Sequence, residues 1–495
     1  MSLASYPIEH LLIHPYLLTA YDSELIQKTV DSFTLENMRI YLISKSVEPE
    51  ATQTEPIYQT KYFESKFDEE IINRFTSPKY TAHAKNNKIL DLPVANIFLP
   101  RDFQIKNDEI TDKPIKILES DKTLAFFQQD GKFNIPKAVI HCRILMENGN
   151  FPHDPKHFIA AKMWSKMVYN ELREIIYQAE MANLNCTFYI HSLGMDLVFS
   201  GFNDGLPLFV ETIFSEIYAF SPPTSSSTHQ ARFSSLHNSM SKEYKNFYRS
   251  QPYSLNNHFQ KVFLKTGPIF DIPVMQSSLQ SLDYDSFLKI IPSIFSTIRF
   301  EWYALGNLKK DQIKNLVSNV ESKLNGDILK TEKVCQIRSV RLEKQEKFFF
   351  EHFIEEERQN NSSLSLFLQN PNDPPLLEDY LLCQLLVDIL KEPFFSQLRT
   401  EEQLGYIVSS SSVDDRGIFS LCFIVQSERK SSHFLAERVE DFLKKQKEEI
   451  LAVEEEKFEK FKKSLGVKVG EKDLNIFQVN LEMFILLNKI LSLFL

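Results

Sequence analysis

The chain carries one pattern twice, and that repeat limits its fold more than any single motif. HDPKHFIAAKMWSKMVYNELREIIYQAEMANLNCTFYI, from position 153, lines up with NDPPLLEDYLLCQLLVDILKEPFFSQLRTEEQLGYIV, from position 372. Each copy follows a run of strand character, VIHCRIL or SLSLFL, and each opens with Asp-Pro. An aspartate accepts from the free N–H groups at a helix start, and a proline is tolerated at the first helical position. Both copies then read as a long apolar-striped helix, a short second helix and a strand. Leu184-Asn185-Cys186 falls on Leu404-Gly405-Tyr406, an offset of 220 positions. A second strand follows in each (DLVFSGF; IFSLCFIV), then another helix (PLFVETIFSEI; FLAERVEDFLKKQ). The unit is strand–helix–helix–hairpin–helix, repeated at roughly 200 residues.

The rest of the chain is less regular. Residues 1–49 hold one amphipathic helix, SELIQKTVDSF, and one strand, MRIYLISKS. Residues 50–112 lack periodicity, and ILDLPVANIFLPRDFQIKNDEITDKP reads as an extended connector rather than core. SPPTSSSTHQARFSS, residues 221–235, reads as a loop with flexible serines. The segment 433–465 is dense in Glu and Lys around apolar residues at helical spacing, as in one or two long surface helices. Lys462, Lys463, Lys468 and Lys472 belong to that solvated face. Little that is patterned follows Gly470, so the second copy is expected to be short.

Composition bounds the function classes. The 495 residues are 43% hydrophobic and 25% charged, as in a soluble globular protein of two to four domains. The net charge of −10 argues against a nucleic-acid partner. Five cysteines (Cys142, Cys186, Cys335, Cys383, Cys422) are odd in number and widely spaced, as expected of buried thiols in a reducing compartment. The N-terminus has no basic leader, and the apolar C-terminal ILLNKILSLFL is shorter than the roughly 20 residues of a membrane span. A cytoplasmic protein with no membrane partner is expected.

Motifs for nucleotide cradling or a nucleophile elbow are absent. Three histidine arrangements approach metal spacing. His10 and His14 are four apart, but Leu11 stands where a catalytic glutamate would follow. His153 and His157 flank Asp154 and Pro155, so His153 is expected outside the helix that holds His157. His352-Phe-Ile-Glu matches the start of H-x-x-E-H, but Glu356 replaces the second histidine, and EHFIEEERQ reads as the charged end of a strand. No complete metal site is expected in this chain.

In FFSQLRTEEQLGYIV, Arg399 reads as a helix-surface residue pairing with Glu402 or Gln403, and Tyr406 as an ordinary strand residue. The arrangement also permits more. Gly405 is expected to end the helix in the left-handed conformation, and Tyr406 to start a strand. A guanidinium and a phenol seven residues apart can then converge on one carbonyl or oxyanion.

FFSQLRTEEQLGYIVSSSS and GIFSLCFIVQSE closely resemble the last domain of the insulysin/pitrilysin family of inverted-motif zinc peptidases. YLLTAYDSELIQKTVDSFTLENMRIYLISKS, DGKFNIPKAVIHCRI and KFFFEHFIEEERQNNSSLSLFLQ extend the resemblance over nearly the whole chain. The resemblance implies an α+β fold with two homologous pitrilysin-type domains, each an antiparallel-rich sheet with helices on one face. The second is C-terminally incomplete, and the tail of another such domain precedes both. It implies boundaries of 1–65 for the end of a second domain, 66–112 for a linker, 113–333 for a third domain and 334–495 for a fourth. It further implies the substrate-binding, C-terminal half of a zinc endopeptidase that degrades short unfolded peptides in an enclosed chamber. Arg399 and Tyr406 would bind the substrate backbone and stabilise the oxyanion formed when zinc-bound water attacks it.

The zinc ligands of such an enzyme are absent here, so this chain alone is expected to be inactive. The implied partners are peptide substrates and a zinc-bearing N-terminal half, in cis or as a separate subunit, with homodimerisation left open. The basic pair that relatives carry in the tail is not evident, since Asp473 follows Lys472, which puts anion activation in doubt. The alternatives are a noncatalytic peptide-binding or partner subunit, and a remnant that does not fold stably.

Overall fold

The computed structural model describes residues 7–10, 20–76, 94–220, 226–323, 326–330, 333–344, 346–354, 360–372, 376–471, 475–476 and 478–480. The chain divides into two compact units, Met1–Ala95 and Asn96–Leu495.

In the first unit, α1 (Ser23–Asp31) starts where expected, its first turn capped by Asp22 accepting from the Leu25 N–H at 2.9 Å. β1 (Gln53–Thr54) and β2 (Lys61–Tyr62) form a short antiparallel ribbon, and α2 (Glu69–Thr76) follows. The strand expected over MRIYLISKS is not formed. Residues 38–44 have no regular structure, and a 3₁₀ turn covers Lys45–Glu50. A strand needs a neighbour to satisfy its backbone, and the described residues of this unit offer none there; Ile40, Tyr41, Leu42 and Ile43 stand exposed. His10 sits in a 3₁₀ turn, and His14 lies outside the described residues.

The second unit is built on two sheets. β3 (Ile115–Glu119), β4 (Thr123–Gln129), β5 (Lys137–Met146), β6 (Leu184–His191), β7 (Gly194–Phe202) and β9 (Thr297–Gly306) form the larger, in the order β3-β4-β9-β5-β7-β6. All neighbours on this path are antiparallel except β4 and β9; the two-residue β10 (Asp327–Ile328) also runs parallel to β9. β8 (Lys265–Thr266) pairs with β11 (Arg338–Ser339). The smaller sheet runs β12 (Ser362–Gln369), β14 (Ile418–Ser427), β13 (Ile407–Asp415).

Helices α3 (Pro155–Glu171), α4 (Arg173–Met181), α5 (Leu206–Ala219), α6 (Ser227–Asn246), α8 (Ile272–Gln280), α9 (Tyr284–Ile294) and α10 (Lys310–Lys323) accompany the large sheet, while α7 (Pro252–Phe263) lies on the small sheet, Asn256 donating to the Ser363 and Ser365 hydroxyls. α11 (Leu377–Phe395), α12 (Ser432–Leu451) and α13 (Glu455–Gly470) accompany the small one.

Alternation along β5 explains the layering. Ile140, Cys142, Ile144 and Met146 join the helices in the main core, while Val139, His141 and Arg143 face the other way. On that reverse face, Ile476 is fully buried against Val139, Tyr303 and Leu305. The sequence after Gly470 therefore includes a core residue, although no pattern marks it.

The repeat is real in three dimensions. β5-β7-β6 and β12-β14-β13 have the same order and sense, each with a long helix before its hairpin and another after. In the first copy, Asp154 accepts from Lys156 N–H at 2.7 Å and His157 N–H at 3.4 Å, and Pro155 is the first helical residue. Asp373 and Pro374 lie outside the described residues. The 433–465 segment forms the two helices α12 and α13.

Two expectations for loops are corrected. Ser227 onward is helical, α6 being capped by Ser226, because Phe233, Met240 and Tyr244 recur at helical spacing and are buried. Burial of that stripe outweighs the low helix propensity of serine. In the connector, Phe98 is core, packed edge-on to Phe209 at 5.3 Å, and Asp204 accepts from Arg101 N–H nearby. The strand expected near His352 is likewise absent over 346–354.

Candidate functional site

The junction between α11 and β13 is the most unusual local structure in the second copy. Pro393 lies inside α11, and the helix passes directly into a wide π turn, Ser396–Glu401. Such turns carry an extra residue per turn and recur at functional positions. Leu398 and Leu404 anchor the turn in the core beside Phe394. Its exit is held by Glu402 N–H on Gln397 O at 2.9 Å and Leu404 N–H on Leu398 O at 3.0 Å.

The residue that turns the chain is not the expected one. Gln403, with φ of +52°, takes the left-handed conformation, and Asn183 at φ +56° does so at the matching place in the first copy. Gly405 serves a different purpose. A Cβ there would overlap the carbonyl oxygen of Gln426, so glycine lets the chain pass close to β14. β13 then begins at Ile407, one residue after Tyr406.

Arg399 does not pair with Glu402. That carboxylate is held by Arg438, whose Nη2 donates to Oε1 at 2.8 Å and Nε to Oε2 at 2.9 Å. The hydrogen bonds from Arg438 keep the Glu402 carboxyl below its usual pKa. Arg399 instead lies between two rings, its Cζ 4.7 Å from the Phe395 centroid and 4.5 Å from the Tyr406 centroid. Tyr406 is 78% exposed. These ring contacts do not use the N–H donors of the guanidinium, so donors remain for a carbonyl or carboxylate.

A second polar group, on the reverse face of the large sheet, escaped the sequence reading. Asp196 on β7 is buried and accepts from Arg143 Nε at 2.7 Å, Arg143 Nη2 at 3.0 Å and the Tyr189 hydroxyl at 3.1 Å. His191 Nε2 lies 3.1 Å from it, and His141 Nε2 3.7 Å. Burial opposes its ionisation, but the nearby His141 and His191 imidazoles and the Arg143 guanidinium outweigh this and hold its carboxyl far below the usual range. Burial pushes the His141 imidazole below its usual value, with Asp196 opposing in part. The available signal was one aspartate inside the otherwise apolar DLVFSGF, with charged residues at every second position of IHCR.

His153 and His157 do not form a metal site. His153 lies 3.5 Å from Glu147 and His157 3.2 Å from Asp154, while Glu356 lies outside the described residues. Among the described residues, no group of three or more His, Cys, Asp or Glu side chains is placed to hold a metal ion. The side chains of the described residues therefore do not fit zinc. No helix among the described residues is long and apolar enough to cross a membrane.

The doubled sheet-and-helix unit is the fold of pitrilysin: its crystal structure superposes with a TM-score of 0.75 at 18% identity, covering 95% of this chain and 48% of that one. That likeness defines the class, an α+β protein of pitrilysin type. The chain belongs to the peptidase M16 family, whose middle or third domain matches residues 1–269. A second profile, the PQQ synthase PqqF-like C-terminal lobe domain 4, matches residues 385–480. Insulin-degrading enzyme of Homo sapiens is 28% identical over 469 residues, covering 94% of this chain and 44% of that protein. Insulin-degrading enzyme of Drosophila melanogaster is 27% identical over 484 residues, with 96% and 47% covered. The chain thus spans less than half the length of these relatives.

Proposed function

We propose that this chain is the substrate-binding, C-terminal half of an insulysin-like zinc endopeptidase acting on short unfolded peptides. The observation that carries the reading is the stacked pair Arg399–Tyr406, held at the exit of a π turn beside an exposed strand end. In it, Arg399 donates to a backbone carbonyl or terminal carboxylate of the peptide. Tyr406 donates its hydroxyl proton to the carbonyl oxygen as charge develops there, a contact that strengthens on the way to the transition state. Both groups need water excluded for full effect, which an enclosing second half would supply. The reading assigns zinc to an N-terminal half, in cis or as a separate subunit, because the described side chains offer it no site.

That same observation favours a second reading, a noncatalytic subunit that binds peptides for an active partner. Both readings require the isolated chain to bind peptide weakly through Arg399 and to cleave none. Calorimetric titration with an unfolded peptide of about 20 residues checks this. Arg399→Ala is expected to weaken binding by about tenfold, the loss of one charged hydrogen bond. Unchanged affinity returns Arg399 to a purely structural role. Reconstitution with a zinc-bearing half then separates enzyme from binding subunit.

A further inference from the structure

The two copies make the same junction with different chemistry. Both run from a helix through one left-handed residue, Asn183 or Gln403, into the hairpin. In that register Arg399, Glu402 and Tyr406 fall on Ala179, Ala182 and Cys186, which are all buried. The first copy closes its helix end with short-range bonds, Ala182 N–H to Ala179 O and Asn183 N–H to Glu180 O, each 2.9 Å. The second closes over a wider span, from Glu402 N–H to Gln397 O and from Leu404 N–H to Leu398 O. The fold therefore does not require a wide turn at this place, and a feature of the second copy keeps it wide.

Glu402 is at the centre of that feature. Its carboxylate accepts from Gln397 Nε2 at 2.9 Å, so the two residues that close the turn through their backbones close it again through their side chains. Arg438 grips both oxygens of the same carboxylate, at 2.8 and 2.9 Å. A guanidinium that meets both oxygens fixes direction as well as distance. Arg438 stands on α12, 36 residues away in sequence, and Leu435, Val439 and Phe442 fix that helix in the core. Asp441 accepts from Arg438 Nη1 at 3.0 Å and steadies its other edge. In the first copy α5, the counterpart of α12, has no basic side chain. A partly exposed ion pair of this kind adds little to stability, so what it contributes is geometry.

Arg399 lies inside the turn that Glu402 closes. The rings that flank it come from either side of the turn, Phe395 before it and Tyr406 after it. Narrowing the turn would re-aim the side chains within it, because each residue of a regular helix advances by about 100°. We propose that Arg438, acting through Glu402, is a positioning residue: it keeps the turn wide, so that Arg399 stays between the rings of Phe395 and Tyr406. Its effect on peptide binding rests on Arg399 being a peptide ligand, as in the proposed function; its effect on the geometry does not.

NMR of the full chain tests the geometry. The Cδ protons of an arginine held over two ring faces resonate upfield of their free position. In Arg438→Gln and in Glu402→Gln the Arg399 signals are expected to return to the free position. Arg438→Lys keeps the charge without the two-pronged grip, and the same return is expected. Retention of the upfield shift in a folded Arg438 variant overturns the proposal. Calorimetric titration with the same unfolded peptide tests the consequence. Arg438→Gln is expected to weaken binding by up to about tenfold, the effect of Arg399→Ala, and to add nothing in the Arg399→Ala background. Full affinity in Arg438→Gln beside a weakened Arg399→Ala overturns the proposal, and so do additive losses, which mean that Arg438 acts by another route. Unchanged affinity in Arg399→Ala instead refutes Arg399 as a peptide ligand, and the ring shifts alone then decide the positioning.

Discussion

The guanidinium carbon of Arg399 lies over the ring of Tyr406, 4.5 Å from its centroid, although a left-handed turn and a glycine separate the two in sequence. The contact exists because α11 does not end cleanly. Its π turn delivers Arg399 to the outer side while Leu398 and Leu404 stay in the core. Each residue thus constrains the other: the ring holds the guanidinium over its face, and the cation holds an exposed ring at the start of β13. At an exposed site such a contact is worth about 0.5–1 kcal/mol, enough to bias a rotamer and too little to be a reason for the fold.

Gly405→Ala tests the close approach behind this geometry. The added methyl meets the Gln426 carbonyl in a paired strand that cannot give way. A loss of about 1–3 kcal/mol in unfolding free energy is expected, the usual result of overpacking. Gly466→Ala is the contrast, because it lies in α13 with nothing near its Cβ position. There a gain of about 0.5–1 kcal/mol is expected from helix propensity. Urea unfolding of both variants checks the pair; equal behaviour contradicts the packing argument.

The Asp196 cluster predicts acid lability. Asp196 and His141 both have folded-state pKa values below their unfolded ones. A depressed folded pKa means that the unfolded chain binds the proton first, so stability falls as pH is lowered. His141 begins to act below about pH 6.5, its unfolded value, and Asp196 below about pH 4. The urea midpoint should be flat above neutrality and decline below it. His141→Gln should remove the first part of that decline. Asp196→Asn leaves Arg143 buried without its main carboxylate and should cost about 3–5 kcal/mol at pH 7. A midpoint independent of pH between 7 and 5 contradicts the assignment of His141.

Ile476 carries the next expectation. It is fully buried on the reverse face of the large sheet, far in sequence from the strands it covers. Ile476→Ala should cost about 2–5 kcal/mol, the range for a large core residue reduced to a methyl. A loss below 0.5 kcal/mol, about the size of an ordinary surface effect, shows that the residue covers nothing essential.

These residues also mark how far the sequence could be read. The repeat, the Asp154 cap and the order of strands and helices were legible, because periodicity and capping chemistry are local. The strand over Met38–Ser46 was misread because a strand depends on a neighbour, which no local pattern reveals. α6 was misread as loop because its serines lie on the outside of a helix fixed by Phe233, Met240 and Tyr244. Gly405 was assigned the positive φ that belongs to Gln403, because glycine signals both left-handed turns and close approach. Arg399 and Tyr406 were picked out as a pair, but their stacking, and the loss of Glu402 to Arg438, depend on the π turn. The Asp196 cluster joins β5, β6 and β7 across the sheet, and pairings of that range are not written in adjacent residues.

The central claim is that Tyr406 donates a hydrogen bond to the reacting carbonyl, and Tyr406→Phe tests it most directly. The substitution keeps the ring that stacks on Arg399 and removes only the hydroxyl. With the chain joined to a zinc-bearing half, kcat for an unfolded peptide is the measurement. A fall of about 10²–10³ with little change in KM is expected, the usual effect of losing one oxyanion donor. Activity within about a factor of two of the unaltered protein would contradict the claim and leave Tyr406 a residue that only orients Arg399.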